Sequence, residues 1–490
     1  MKWRKLSLIL IFSFILGQVC ISAQNQHPSF EPVFDPLEVF KPASIGPAVL
    51  SADQIFELAL RYSECEPGSG RWAACIKRFE DIKKEVTSAK YKAMDAETRG
   101  RAVLKFLYRD YLKTYSFNQT RIDIALETGM YNCVSSGLLY MVAAKAAGLT
   151  VCGQRTTEHA FCSVYVPNKI DVETTNPYGF NPGSKEAIEN EDKIERYYVV
   201  PKKYYSNRQE VTDVVFAGLI ASNVCALYID KEDYMNAVPL GAARYEAIRL
   251  ENNKTKAITD ARRDLDILAT NYLNTMPEVA EEFAGMVDWY ISYIDRWGMT
   301  DYCQRNLDNA CYNLLVLCFN EMNYELALES YEKAKTYISQ KQISKLTDIL
   351  TDILVSSNIE GLSAEEQIQT IEILLADQDL ESAQEKRVLV YLENAWLTIL
   401  NECMLERSYG TGYQKSCEAL ERLPQSTKIK KMQKSFYDNC IAIIHNNFAE
   451  QANAKRFDQA RQVLEAGMQV FPNDKTLNAD MATLNKMQKN

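Results

Sequence analysis

The run Gly129-Met130-Tyr131-Asn132-Cys133-Val134-Ser135-Ser136-Gly137-Leu138-Leu139-Tyr140 continues through Met141–Ala147 to Gly148-Leu149 with a single charge, Lys145. An apolar segment of this length closed by a glycine predicts a helix that begins at Cys133, is buried nearly all round and stops at Gly148. Burying the body of a helix leaves only its end open. Cys133 would then sit where unpaired backbone N–H groups and the positive end of the helix dipole favour an anion. In such a setting, above all beside a histidine, a thiol becomes a reactive thiolate.

A histidine follows. Only His27, His159 and His445 occur in the chain, and His159 is the one between residues 51 and 213. It opens the alternating run His159–Val166, which reads as a strand between β-type runs at Thr150–Arg155 and Lys169–Thr175, with a fourth at Arg196–Val200. The run after the turn offers Asp171 and Glu173 on one face, since residues two apart share a strand face. A two-residue turn at Pro167-Asn168 would place Glu173 on the face opposite His159, whereas a three-residue connection, Val166–Asn168, places both together. We expect the three-residue connection. Glu173 then opposes Phe161 and lies diagonal to His159 at roughly 7–8 Å between backbones, a gap its side chain closes. Asp171, the alternative acid, would oppose Ser163. Cys152 and Cys162 read as core residues, and Asn176–Gly183 as a turn-rich loop that either borders a cleft or closes the fold.

A cysteine at a helix start, His159-Ala160-Phe161 on a strand, and Val172-Glu173-Thr174-Thr175 on the next resemble the transglutaminase-like superfamily, the papain-related cysteine enzymes. The resemblance covers about residues 95–200. It implies a nucleophile at Cys133, a base at His159 and an orienting acid at Glu173. Two departures stand out: the family commonly carries Asp in the third position, and a glycine nearer the cysteine than Gly129. A glutamate can hold a histidine tautomer equally well, so the departures bear on substrate rather than on chemistry.

The remaining segments frame this one. Lys2, Arg4 and Lys5 before the apolar run Leu6–Leu16, with Ala23 before Gln24, read as a secretory signal peptide over residues 1–23, so we expect an exported, periplasmic or secreted protein. Cys20 admits a lipoprotein anchor, against which Gly17-Gln18-Val19 lacks the usual small residue next to it. Export permits disulfides, and Cys65 with Cys75, flanking Pro67-Gly68-Ser69-Gly70, is the expected bridge. Residues 24–50 carry five prolines and read as an extended segment that wraps the first domain. Residues 51–213 form the α+β, transglutaminase-like domain, with helices up to about Lys113 started by Ser51.

From residue 214 to 490 the pattern is helical. Tyr324, Ala327, Tyr331 and Ala334 repeat the offsets of Phe457, Ala460, Leu464 and Gly467, and these segments resemble tetratricopeptide repeats. Tyr234 with Ala237, and Tyr413 with Ser416 and Leu420, look like degenerate members. The irregular spacing keeps a plain helical bundle as the other reading. The expected fold class is therefore an α+β transglutaminase-like (papain-type) domain followed by an all-α helical-repeat domain.

The 55 basic and 65 acidic residues give a formal charge of −10, without the cationic clustering that phosphate binding needs, so nucleic acid is not an expected partner. Three scattered histidines and no paired CxxC argue against a metal centre, no cofactor is implied, and no membrane span is expected after residue 23. The reading that follows is an exported cysteine-dependent peptidase or amidase acting on a protein or peptide, with the helical region recruiting a protein partner. The alternative is a non-catalytic binding module on a helical scaffold.

Overall fold

The Ser51 hydroxyl accepts a hydrogen bond from the Gln54 N–H, and the Gln54 side chain accepts one from the Ser51 N–H. This capping box starts α1 (Ala52–Tyr62) at the residue the sequence pattern indicates. The computed structural model describes residues 27–42, 48–181, 207–251, 256–377 and 380–488. The protein is mostly helical with a small sheet region, and it divides into two compact units. One holds the described residues up to Pro277 and Gly285–Asn306; the other holds Glu278–Ala284 and the described residues from Leu307 onward. The expected strand at 196–200 and the expected signal peptide lie outside the described residues.

In the first unit α1 is followed by α2 (Gly70–Val86), α3 (Ala89–Lys92), α4 (Ala96–Asp110), β1 (Thr114–Tyr115), α5 (Ile122–Thr128), β2 (Met130–Tyr131) and α6 (Cys133–Ala146). Next come β3 (Val151–Arg155), β4 (Ala160–Tyr165), β5 (Lys169–Val172), β6 (Gln209–Val211), α7 (Asp213–Ile229), α8 (Tyr234–Leu250) and α9 (Lys256–Leu273). Strands β1 and β2 pair in parallel, and the other four form an antiparallel sheet in the order β5-β4-β3-β6. Between β4 and β5 the partners are Cys162 with Val172, Ser163 with Asp171 and Tyr165 with Lys169, so the connection is the three residues Val166–Asn168. β6 was not legible beforehand: Gln209-Glu210-Val211 has neither length nor apolar alternation.

α6 is the centre of this unit. Val134 through Ala144 are all buried, and Gly148 beyond its end takes φ +80°, a left-handed turn that suits glycine. The Cys162 thiol donates to the Gly137 carbonyl at 3.3 Å, which seats the helix on the sheet. Phe216 of α7 fills the space above two glycines: a Cβ on Gly153 would lie 2.3 Å from its ring and one on Gly137 3.0 Å. Lys145 and Asp213 add an ion pair at 2.7 Å. The first unit therefore runs past residue 213, because α7 completes the core under the sheet. The segment 27–42 lies against later helices of the same unit: Trp289 and Trp297 donate their indole N–H groups to Pro28 and Phe30 carbonyls, and Arg296 pairs with Glu31. Cys65 and Cys75, expected as a bridge, are buried free thiols.

The helices after α9 are α10 (Ala280–Trp297), α11 (Asp301–Asn320), α12 (Tyr324–Ala334), α13 (Gln340–Ile359), α14 (Ala364–Asp377), α15 (Ser382–Leu405), α16 (Tyr409–Arg422), α17 (Thr427–Asn453), α18 (Phe457–Val470) and α19 (Lys475–Met487). Four helix-to-helix turns are built alike. Glu232, Met322, Arg407 and Lys455 take left-handed φ of 56°, 53°, 58° and 59°, and the next residue donates its N–H to the carbonyl five positions back. Two residues after each left-handed position an aromatic side chain opens the next helix: Tyr234, Tyr324, Tyr409 and Phe457. Three further on, Ala237, Ala327, Gly412 and Ala460 are buried. The third member of the series is thus framed on Tyr409, Gly412, Ser416 and Ala419 rather than on Tyr413. Among the described residues no helix is long and apolar enough to cross a membrane.

Candidate active site

Asn132 sets the start of α6. Its side-chain oxygen accepts from the N–H groups of Val134 and Ser135 at 3.0 and 3.1 Å, and the Ser135 hydroxyl accepts from the Asn132 N–H at 3.0 Å. The Asn132 amide nitrogen donates to the Phe117 carbonyl at 3.1 Å. With Val134 and Ser135 so capped, the N–H of Cys133 itself has no partner among the described residues, and its half-buried side chain stands at the mouth of the helix.

His159 is held from behind by a four-residue turn. Thr156 donates its backbone N–H to the His159 carbonyl at 2.8 Å, and its hydroxyl accepts from the His159 N–H at 3.0 Å. The ring Nε2 lies 2.7 Å from Oε2 of Glu173, a carboxylate that is 1% exposed. The other oxygen of Glu173 accepts from the Thr175 N–H at 3.1 Å and from the Thr175 hydroxyl at 2.6 Å. Both oxygens of a buried carboxylate are thereby satisfied, which a charge in that position requires. The Cys133 side chain lies beside the same ring, and both line one cleft. Burial works against a charged ring, but the hydrogen bond to Glu173 and the influence of Cys133 beside it outweigh this and raise the His159 pKa to about 10.

Three of the four residues named from sequence therefore meet: Cys133, His159 and Glu173. Asp171 does not join them. It faces Ser163, whose hydroxyl donates to it at 2.8 Å, and it pairs with Arg208. No protein-family model, no curated protein and no solved structure matches this chain.

The three side chains open on a cleft of about 1520 Å³, whose walls include Tyr115, Phe117 and, from α7, Leu219, Asn223 and Leu227. Residues 176–181, the described part of the turn-rich loop, pack back on Glu173 and are not among the residues lining this cleft. Glu173 donates its N–H to the Gly179 carbonyl at 2.8 Å, and a Cβ on Gly179 would lie 1.9 Å from the Glu173 carbonyl oxygen. Thr156 and Thr175 escaped the sequence reading. Their signal was weak, because a threonine beside a histidine or an acid is common and only the turn geometry gives each hydroxyl its partner. Ser136, whose hydroxyl lies 3.2 Å from that of Thr174, was missed for the same reason, and it ties α6 to the acid-bearing segment. Among the described residues no three His, Cys, Asp or Glu side chains gather as metal ligands.

Proposed function

We propose that the protein is a cysteine-dependent acyl-transfer enzyme, a peptidase or amidase working through Cys133, His159 and Glu173. One observation carries the reading: a single imidazole, hydrogen-bonded to a buried carboxylate whose other oxygen is also satisfied, lines the same large cleft as a thiol at a helix N-terminus. His159 takes the proton of the Cys133 thiol. The sulfur attacks an amide carbonyl, and the tetrahedral oxyanion is met by the free N–H of Cys133. As the C–N bond breaks, the imidazolium gives its proton to the leaving amine. The neutral ring then takes a proton from water, which adds to the thioester and releases the acid and the thiolate. Glu173 keeps the ring oriented throughout. Water is the proposed acceptor because it is the abundant nucleophile where an exported enzyme works.

The order of the three residues, at a helix start, just before β4 and just after β5, supports placing the first unit with the transglutaminase-like enzymes, and the four like-built turns support a tetratricopeptide-like reading of the helices, which would recruit a protein partner. The test is alkylation of the reduced full-length protein with iodoacetamide across pH, read by peptide mass. Selective modification of Cys133 at about pH 6, lost in Cys133→Ala, is expected. Modification of Cys133 at the rate of an ordinary thiol would overturn the enzymatic reading and leave a binding module.

A further inference from the structure

Phe117 is 80% exposed and Tyr115 48%, two large apolar side chains left open next to the one helix start that carries a cysteine. Neither is loosely held. Tyr115 is in β1, packed edge-on against the Tyr131 ring with centroids 5.9 Å apart. Phe117 follows Ser116 in a turn: the Ser116 N–H donates to the Tyr131 carbonyl at 2.8 Å and the Gln119 N–H to the Ser116 carbonyl at 3.0 Å. The Phe117 carbonyl takes the amide of Asn132, the residue immediately before Cys133. The turn that carries Phe117 and the start of the helix that carries the nucleophile are therefore held by the same capping asparagine. Leu219, Ala226 and Leu227 of α7 add apolar surface to the same cleft, and Asn223 of α7 donates to the Thr120 hydroxyl at 3.1 Å, tying that helix to the segment that carries the two rings. A volume of about 1520 Å³ also exceeds the roughly 300–1,000 Å³ of a small-molecule pocket, which favours a chain of several residues over a lone amide.

We infer that Tyr115 and Phe117 are specificity-determining residues that receive an apolar, preferentially aromatic, side chain of a polypeptide substrate beside the bond attacked by Cys133. The inference rests on the acyl-transfer reading above. The occupant is a substrate side chain because the rings line the same cleft as the sulfur, and covering them removes apolar surface from water only when a chain is seated there.

The experiment measures second-order inactivation of the full-length protein by dipeptidyl fluoromethyl ketones carrying phenylalanine, leucine, serine or glycine in either position. Adduct formation on Cys133 is read by mass. The phenylalanine or leucine probe is expected to react about tenfold or more faster than the glycine probe at one position, and Phe117→Ser should reduce that ratio to about twofold. Tyr115→Ala serves as a second variant and should reduce it in part. Equal rates across the series, or a preference that survives both substitutions, would overturn the inference while iodoacetamide still modified Cys133 selectively. Failure of iodoacetamide to single out Cys133 would overturn both it and the underlying reading.

Discussion

In the second compact unit Gly412 makes room for a ring of a neighbouring helix; in the first, where Gly137 and Gly153 do the same for Phe216, Gly179 instead makes room for backbone at the acid of the candidate site. A Cβ on Gly412 would lie 2.2 Å from the ring of Phe436, a side chain. A Cβ on Gly179 would lie 1.9 Å from the carbonyl oxygen of Glu173, which is backbone. Buried polar side chains divide the same way. Among the described residues the second unit buries Ser330, Thr351, Ser416 and Asp480, whereas the first buries Asn132, Ser135, Ser136, Ser163, Glu173, Thr174 and others around α6. Burying polar groups is unfavourable unless each finds a partner, so a dense and satisfied cluster marks the place where the fold is constrained by more than packing.

The contrast can be broken most directly at Glu173. Glu173→Gln keeps the volume but removes the charge that faces His159, and alkylation of Cys133 at about pH 6 should fall by about 10²- to 10⁴-fold. An unchanged rate would mean that the carboxylate is only structural.

The two glycines sharpen it next. Gly179→Ala meets backbone that cannot turn aside, and should lower stability by about 3 kcal/mol and slow Cys133 alkylation with it. Gly412→Ala meets a ring that can rotate, while alanine favours the helix, so denaturant unfolding should show a loss of about 1 kcal/mol or less, with alkylation unchanged. Equal losses at both positions would refute the distinction drawn here.

Titration offers a third comparison, because two shifted groups with separate windows lie in the first unit. Burial, with the charge of Asp213 beside it, raises the Glu251 pKa to about 7. A group whose pKa is raised on folding stabilises most below its unfolded value, so this contribution fades from about pH 4.5 to about pH 7. His159, raised to about 10 by Cys133 and Glu173 against the effect of burial, contributes fully below about pH 6.5 and loses that contribution as pH climbs to about 10. Unfolding free energy measured against pH should decline through both windows. Glu251→Gln should flatten the first and His159→Asn the second, and a decline untouched by either would contradict the assignment.

Thr175→Val should have the smallest effect. It removes the hydroxyl donor to Glu173 but keeps the backbone N–H, so a loss of about 1–2 kcal/mol in stability is expected together with a modest slowing of alkylation. Restoration by Thr175→Ser would separate hydrogen bonding from packing.

Much of this was legible from local patterns. A run with a single charge closed by a glycine identified α6 and its first residue, and the alternation of His159–Val166 identified the strand that follows the histidine. The choice between Asp171 and Glu173 followed from strand register, since a one-residue slip turns every side chain to the other face. The array of helices was visible through its aromatic and small residues. Its third member was misframed by four residues, because Tyr409 and Tyr413 offer similar patterns and only the left-handed turn at Arg407 selects between them.

Neighbours along the chain thus determined the helices, the longer strands and the order in which cysteine, histidine and acid appear, because those features depend on backbone periods of 3.6 and 2 residues. Packing between distant segments decided the rest. It drew α7 into the first unit through Phe216, added the short polar strand β6 to the sheet, and tied α6 to Thr174 through Ser136. These contacts join residues that no short period relates, so they emerge only when the whole chain has closed on itself.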